Sequence, residues 1–249
     1  MKLYLSIILL SSIAHFSFAQ KMVVDAKPAT AQIFVESIPS KNPAKVNLTT
    51  GSMGVLAVSK GYATQGYTFA ELKKKGGETF SITLEKITPL TSDFKSKALE
   101  FAKIADATGK VEKPDRPGLY GITVKGTQLN STPFLSAITG TLIDFGYKID
   151  AAGDQMFEDK NKVVATNDLA IGAELQYFSK DKRGDGYQVS IIVEWSIYST
   201  SEKKVIKKIT TAGYSDTAET QFNPELASAF KDATLGLAGN LEFQKLAKK

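Results

Sequence analysis

The sequence contains no cysteine, and its single histidine, His15, lies within the first 20 residues. From residue 20 onward the chain therefore has no thiol nucleophile, no imidazole base and no soft metal ligand. These absences exclude the common Cys–His and Ser–His–Asp arrangements of catalytic residues. Disulfide bonds are excluded as well, so the stability of the folded protein must come from packed cores.

Arginine is also scarce, because Arg116 and Arg183 are the only two in the chain. Recognition of phosphates and bases favours the planar arginine side chain, so nucleic-acid binding is not expected. The formal net charge of +5 is distributed over lysines interspersed with glutamates. We interpret these charges as solvated surfaces.

The N-terminus is the only strongly apolar stretch of the sequence. Lys2 precedes an apolar run over residues 3–14, and small residues at Ser17 and Ala19 allow cleavage before Gln20. The run is too short to span a bilayer as a helix, which needs about 20 residues. It predicts a secretory signal peptide over residues 1–19 and an exported chain in a periplasm or at an outer cell surface. Without a cysteine, lipid attachment at a lipobox is excluded.

Residues 20–86 predict a small β-sandwich-like domain. Polar and apolar residues alternate over 29–35, 45–48, 54–59 and 78–84, and turn residues separate these runs. This period of two is typical of short, half-buried strands.

Three motifs in this domain resemble PEGA-type surface repeats. They read P-A-T-A-Q-I-F-V over 28–35, K-V-N-L over 45–48 and V-L-A-V-S-K-G-Y over 55–62. The Gly-x-Thr-Pro turn of that family is missing, with only Pro43-Ala44 near its place. The resemblance implies a small β-sandwich of an envelope protein, usually without catalysis.

Tyr62, Tyr67 and Phe69 follow the last of these motifs. They are predicted to form an exposed aromatic patch that binds a partner, and the alternative is packing at the edge of a strand.

The rest of the chain predicts a helix and linker over 87–118 and an α+β domain over 119–249. The early helix is placed at 92–107, a charged connector at 110–118 and a strand at 119–124. The second helix begins near Pro133, since Phe134, Ile138 and Leu142 recur at helical spacing.

Three strands and a last helix follow. The strands are predicted over 170–178, 187–197 and 205–211, with a polar hairpin loop at 179–186. On the first strand Ile171, Ala173, Leu175 and Tyr177 are predicted to share a face. The last helix opens at Asn223-Pro224 and carries the apolar stripe Leu226, Phe230, Ala233, Leu237 and Leu241. Trp195 is interpreted as a core residue.

Long antiparallel strands covered by amphipathic helices define an α+β fold class with a mixed or antiparallel sheet. This order of elements resembles the auxiliary-lipoprotein, curli-assembly and TolB N-terminal-like domains of bacterial envelope proteins. The resemblance covers Pro133-Phe134 to Gly146-Tyr147 and the 193–198 strand V-E-W-S-I-Y. It implies accessory or assembly work at the envelope.

Two patterns in the sequence bear on catalysis and metal binding. Ser-x-x-Lys occurs at Ser92/Lys95, Ser179/Lys182 and Ser201/Lys204, without the partner motifs of serine–lysine enzymes. Acidic residues at 150–159 and 181–185 lack the spacing of a calcium loop. No catalytic residue, cofactor or metal ligand is predicted, although a distant carboxylate pair stays open.

The sequence therefore predicts an exported, non-catalytic binding or scaffold protein of the bacterial envelope. The expected partner is an envelope protein or a cell-wall component, and the oligomeric state is left open. The alternatives are an envelope hydrolase that uses carboxylates or Ser/Lys chemistry, and a structural subunit of an envelope assembly.

Overall fold

A computed structural model describes residues 20–48, 54–106, 121–124, 127–130, 132–149, 168–183, 186–215 and 222–249. The predicted signal peptide, the 110–118 connector and the 150–159 acidic cluster lie outside these residues. Within them, strands dominate and helices cover one sheet, which confirms the predicted α+β class.

The N-terminal unit is a β-sandwich with one short helix. Its elements are β1 (Gln20–Lys27), β2 (Gln32–Val35), β3 (Ile38–Ser40), β4 (Ala44–Leu48), β5 (Gly54–Val58), β6 (Gln65–Thr68), α1 (Phe69–Lys75) and β7 (Thr79–Thr83). One sheet has the order β4-β1-β7 and the other β3-β2-β5-β6. Alternate residues of both sheets, such as Val24 and Ile33, meet in one apolar core, as the period of two predicts.

The remaining elements build a second unit around a five-stranded sheet. They are β8 (Ala98–Asp106), β9 (Gly121–Val124), β10 (Thr127–Asn130), α2 (Thr132–Phe145), β11 (Lys148–Ile149), β12 (Leu169–Arg183), β13 (Gly186–Ser199), β14 (Lys204–Tyr214), α3 (Phe222–Ala238) and α4 (Leu241–Ala247). The sheet has the order β11-β8-β12-β13-β14. It is mixed, because β8 runs parallel to β11 and β12 while the pairs after β12 are antiparallel. Strands β9 and β10 form a separate hairpin.

The helices α2, α3 and α4 pack on one face of the five-stranded sheet and form the main core. Phe134 of α2, Phe230 of α3 and Phe243 of α4 are all fully buried in it. Trp195 lies in the same core, where its indole Nε1–H donates to Thr211 Oγ1 at 2.7 Å. Thr211 Oγ1 in turn donates to the Ala233 carbonyl at 2.8 Å, and this hydrogen bond links the sheet to α3. The predicted core position of Trp195 is confirmed.

The opposite face of the sheet is partly covered by the N-terminal unit. A third apolar cluster there joins Phe34 and Leu56 of the sandwich to Tyr177, Ile192 and Ala212 of the sheet. The two units therefore share a buried core and are not merely connected by a linker.

The helix predicted over 92–107 is wrong. Residues 98–106 form β8, which lies between β11 and β12 and pairs with both. Pairing along both edges outweighs the helical propensity of this segment, whose apolar spacing had indicated a helix. The residues just before β8 lie along the C-terminus, where Lys97 N donates to the Ala247 carbonyl at 2.7 Å.

Two further predictions about the meander and the last helix are wrong in part. The predicted loop at 179–186 is a continuation of β12 and β13, which stay paired up to Arg183 and Gly186. The last helix is divided into α3 and α4 at Asn240, whose side chain accepts the backbone N–H groups of Glu242 and Phe243. Leu241, predicted on the buried stripe, is 55% exposed.

Candidate functional site

The predicted aromatic patch does not form as an exposed group of three. Phe69 is the first residue of α1 and is 2% exposed in the sandwich core. Its apolar ring is buried together with Leu72, the other buried residue of α1, in the same core. Tyr62 and Tyr67 are half-buried against the same core. Partner binding through these two tyrosines stays a prediction.

Tyr67 takes part in a small aromatic cluster on the sandwich. Its ring meets Phe80 edge to face, with the centroids 4.9 Å apart. Lys75 Nζ lies 5.4 Å from the Tyr67 centroid and 5.3 Å from that of Phe80. Burial, together with the charges of Glu71 and Glu85, raises the pKa of the Tyr67 phenol. Since the chain's own lysine contacts both rings, the cluster has an internal cation–π partner.

The contact between the two units is tight. Phe34 stacks on Tyr214 with 4.1 Å between ring centroids. A Cβ atom on Gly54 would lie 3.0 Å from the Tyr177 ring, and one on Gly66 would lie 2.9 Å from Ala212 Cβ. These glycines allow the strands of the sandwich to approach the five-stranded sheet closely.

Tyr177 reaches this contact through a β-bulge. The register between β12 and β13 shifts between Leu175 and Tyr177. Leu175 therefore points into the helical core while Tyr177 points to the sandwich, so the predicted shared face of 171–177 is wrong at Tyr177. The Tyr177 hydroxyl lies near Ser179 and the backbone of Gly54 without a well-formed hydrogen bond to either.

The outer edge of β14 is bonded by the chain's own residues at its C-terminal end. Ala212 N donates to the Thr64 carbonyl at 3.1 Å, and Tyr214 N donates to Asp232 Oδ2 at 3.0 Å. Over the other half of β14, Lys204 to Thr210, none of the described strands pairs with this edge.

The open half of β14 is surrounded by exposed charges and two exposed apolar residues. Ion pairs join Lys204 to Glu202 at 2.9 Å, Lys207 to Glu242 at 2.6 Å and Lys208 to Glu194 at 2.5 Å. The hydrogen bond to Glu194 raises the pKa of Lys208. The hydrogen bond from Lys207 lowers the pKa of the Glu242 carboxyl.

Val205 of β14 is 48% exposed near this charged edge, and Leu241 at the start of α4 is 55% exposed. The ion pair between Lys207 and Glu242 holds the start of α4 beside the strand. This surface, residues 203–210 of β14 and its preceding turn together with Leu241, is called the β14 edge below. It combines unpaired backbone with lysines and apolar side chains.

One carboxylate pair, which the sequence left open, is brought together by the sheet register. Glu174 lies directly opposite Glu194 on the face that turns toward the sandwich. Lys208 donates to Glu194, and Glu174 adds a further favourable charge for it. Cross-strand pairs depend on register, which the sequence does not reveal. In the described part of the chain, no group of three or more potential metal ligands occurs.

The Ser-x-x-Lys motifs do not have the placement that a serine–lysine enzyme needs. Ser92 lies in a turn, and Ser179 lies within β12, where Lys182 falls on the opposite face. Ser201 lies in the turn before β14, and its Lys204 is paired with Glu202. A nucleophilic serine of this kind belongs at the start of a helix.

No helix among the described residues has the length and apolar character to cross a membrane.

No model of a known protein family matches the chain, and no curated protein matches it. The resemblance of residues 28–62 to PEGA-type repeats therefore stays a prediction.

Solved structures do show similarity to the chain. A Xanthomonas campestris protein assigned to a family of unknown function is 14% identical, with 65% of this chain and 90% of that one covered and a TM-score of 0.34. A lipoprotein of Neisseria meningitidis is 10% identical, covering 53% and 90%, with a TM-score of 0.29. The PelC dodecamer of Paraburkholderia phytofirmans is 12% identical, covering 57% and 86%, with a TM-score of 0.33. At these TM-scores the matches assign neither a family nor a function to this chain.

Proposed function

We propose that this chain is an exported, non-catalytic binding or scaffold protein of the bacterial cell envelope. It acts by contact with another protein. The observation that carries the proposal is the β14 edge, where the five-stranded sheet ends in a strand that the described chain pairs over only half its length. An unpaired strand edge is a template for pairing with another chain, and many peptide-binding proteins use it in this way.

Export is supported by the N-terminal sequence. Lys2, the apolar run over 3–14 and the small residues before Gln20 are typical of a secretory signal. The absence of cysteine from the whole chain means that the protein folds without disulfides in an oxidising compartment. Its shared core between two units supplies the stability that small exported domains otherwise take from disulfides.

A non-catalytic role is supported by the chemistry of the residues at hand. The sequence from residue 20 onward has neither cysteine nor histidine. The serines of the three Ser-x-x-Lys motifs lie in turns or within a strand. The Glu174–Glu194 pair lies on a sheet face where Lys208 binds one of the two carboxylates.

The test is crosslinking in intact cells of the source organism, followed by affinity capture of the full chain and mass spectrometry. The expected result is one defined envelope protein, enriched in proportion to the captured chain. A variant with Tyr62→Ser and Tyr67→Ser, checked for folding by circular dichroism, tests whether the tyrosines contribute to capture. Deletion of residues 20–86 is a poor alternative, because it would expose the Tyr177, Ile192 and Ala212 side chains.

Three outcomes contradict the proposal. A free monomeric protein that hydrolyses envelope substrates indicates the hydrolase alternative. Crosslinks found solely between copies of this chain indicate a structural subunit. Crosslinks to glycan alone indicate a cell-wall ligand instead of a protein partner.

A further inference from the structure

We propose that the β14 edge binds an extended, acidic segment of a partner protein as an added strand of the five-stranded sheet. This inference rests on the proposed function and names both the surface and the chemistry of the partner. Backbone geometry, charge and exposed apolar side chains each support it.

The register of β14 shows which of its backbone groups point outward. Ala212 lies opposite Ile192 of β13, and its N–H points away from β13 to the Thr64 carbonyl. In an antiparallel ladder the residues two apart repeat the same orientation. Thr210, opposite Glu194, and Lys208, opposite Ser196, therefore also direct their N–H and C=O groups outward. An added strand can bond to both residues without disturbing the pairing to β13.

The chain's own residues bond to β14 from Ala212 onward, and the partner's strand bonds to the residues before Ala212. Thr64 and Asp232 accept the outward N–H groups of Ala212 and Tyr214. For Thr210 and the residues before it, no pairing strand occurs in the described chain. The added strand therefore ends where the segment before β6 begins to cover β14.

An acidic partner is inferred because β14 itself contributes only positive charges to this edge. Lys203, Lys204, Lys207 and Lys208 are all contributed by the turn and β14, whereas the glutamates that pair with them come from the turn, β13 and α4. These ion pairs lie at the protein surface, where such pairs are weak, so each can be exchanged for a pair with a carboxylate of the partner. Two copies of the chain paired through β14 would place lysine beside lysine, which is unfavourable.

Exposed apolar side chains add a further contact. Val205 and Leu241 are 48% and 55% exposed beside the lysines. A segment that carries apolar residues as well as acidic ones can contact both kinds of groups.

The probe is a synthetic peptide of about eight residues that alternates valine with aspartate and glutamate. Its control replaces the acidic residues with lysine. Binding to the full chain is measured by fluorescence anisotropy, and amide exchange is measured residue by residue by NMR. At roughly ten times the Kd, exchange at the Thr210 and Lys208 amides is expected to slow about tenfold with the acidic peptide alone. Equal binding of both peptides, binding of neither, or protection elsewhere overturns the inference.

Two variants separate backbone pairing from charge. Thr210→Pro removes an outward N–H while leaving the ladder to β13, and Thr210→Val keeps that N–H. The acidic peptide is expected to bind Thr210→Val and to lose binding to Thr210→Pro. A double variant, Lys207→Glu with Glu242→Lys, keeps the ion pair but reverses the sign on the strand. It is expected to weaken binding about two- to fivefold, and it keeps the test decisive if Thr210→Pro does not fold.

The same variants distinguish this inference from the proposed function. If Thr210→Pro folds and still captures the envelope partner in cells as well as Thr210→Val does, the β14 edge is not the binding surface although the binding function stands. If neither variant nor the unmodified chain captures a partner, the proposed function itself fails. Self-association through β14, seen as a dimer in sedimentation, also overturns the inference.

Discussion

Thr64 and Asp232 lie 168 positions apart in the sequence and are joined by a 2.7 Å hydrogen bond from Thr64 Oγ1 to Asp232 Oδ2. The same carboxylate oxygen accepts the backbone N–H of Tyr214 at 3.0 Å. A single acidic side chain on α3 therefore connects the segment before β6, the end of β14 and the helix layer. Thr64 is 1% exposed, so its hydroxyl depends on this partner.

Replacement of Asp232 by alanine is expected to lower the free energy of unfolding by about 2–3 kcal/mol, because it leaves a buried hydroxyl and a backbone N–H without an acceptor. Urea unfolding measured by circular dichroism gives the value. The matched control is Lys231→Ala, the exposed neighbour on α3, with an expected change within about 0.5 kcal/mol. Equal effects of the two substitutions would contradict this role for Asp232.

Gly66→Ala tests how closely the two units approach each other. The added methyl group would lie 2.9 Å from Ala212 Cβ and 3.0 Å from Ile192 Cγ1, so we expect destabilisation of about 1–3 kcal/mol from overpacking. Gly140→Ala is the control, since nothing lies within 4 Å of its added Cβ. In α2 that change is expected to stabilise by about 0.5–1 kcal/mol. Thermal denaturation of both variants should therefore show shifts of opposite sign.

Thr68 and Glu71 cap the start of α1 reciprocally. Thr68 Oγ1 accepts the Glu71 N–H at 3.2 Å, and Glu71 Oε2 accepts the Thr68 N–H at 2.7 Å. Thr68→Ala is expected to cost about 1 kcal/mol of unfolding free energy, whereas Thr68→Ser keeps the oxygen and should cost less. Indistinguishable urea midpoints for the two variants would show that the cap does not stabilise the fold.

The regular parts of this fold are predictable from periodicity. Val189, Ile191, Val193 and Trp195 alternate along β13 and are all buried in the main core, as a period of two requires. Phe134, Ile138 and Leu142 recur at helical spacing on α2 and share that core. In both cases one buried face imposes the pattern on the sequence, so the pattern identifies the element.

Other elements are determined by interactions between residues distant in the sequence. For these elements the local pattern predicts the wrong structure. β8 is a strand because β11 and β12 pair with it, although Phe94, Ala98, Phe101 and Ala105 have helical spacing. The bulge after Leu175 turns Tyr177 to the opposite face. The helix α1 was missed despite a detectable signal, since Thr-Phe-Ala-Glu at 68–71 is a capping box.

The candidate surfaces, too, could be predicted from the sequence only in part. The exposed lysines around 203–208 are visible in the sequence, but the unpaired state of β14 depends on the order of strands in the sheet. The Glu174–Glu194 pair depends on the register of β12 against β13. Phe69 was predicted to be exposed because its burial comes from the packing of a helix that the pattern did not indicate.

The Tyr177 phenol makes the contact between the units sensitive to alkaline pH. Burial, with a smaller contribution from the charge of Glu36, raises the pKa of Tyr177 from its ordinary value of 10.0 to about 12. Because the folded state holds the proton more tightly than the unfolded state, this contribution is complete below the unfolded pKa of Tyr177. It is lost as pH rises through the window from 10.0 to about 12.

Tyr177→Phe removes that titration and is expected to flatten the loss of stability in alkaline solution. Between about pH 8 and about pH 11 the unmodified protein should lose roughly 1.4 kcal/mol more than the variant, since one pKa unit corresponds to that amount. Burial also raises the pKa of Tyr147, but this residue is present in both proteins and its effect cancels in the comparison. Urea midpoints measured across that range test the difference, and parallel losses in the two proteins would mean that Tyr177 does not titrate in the buried contact.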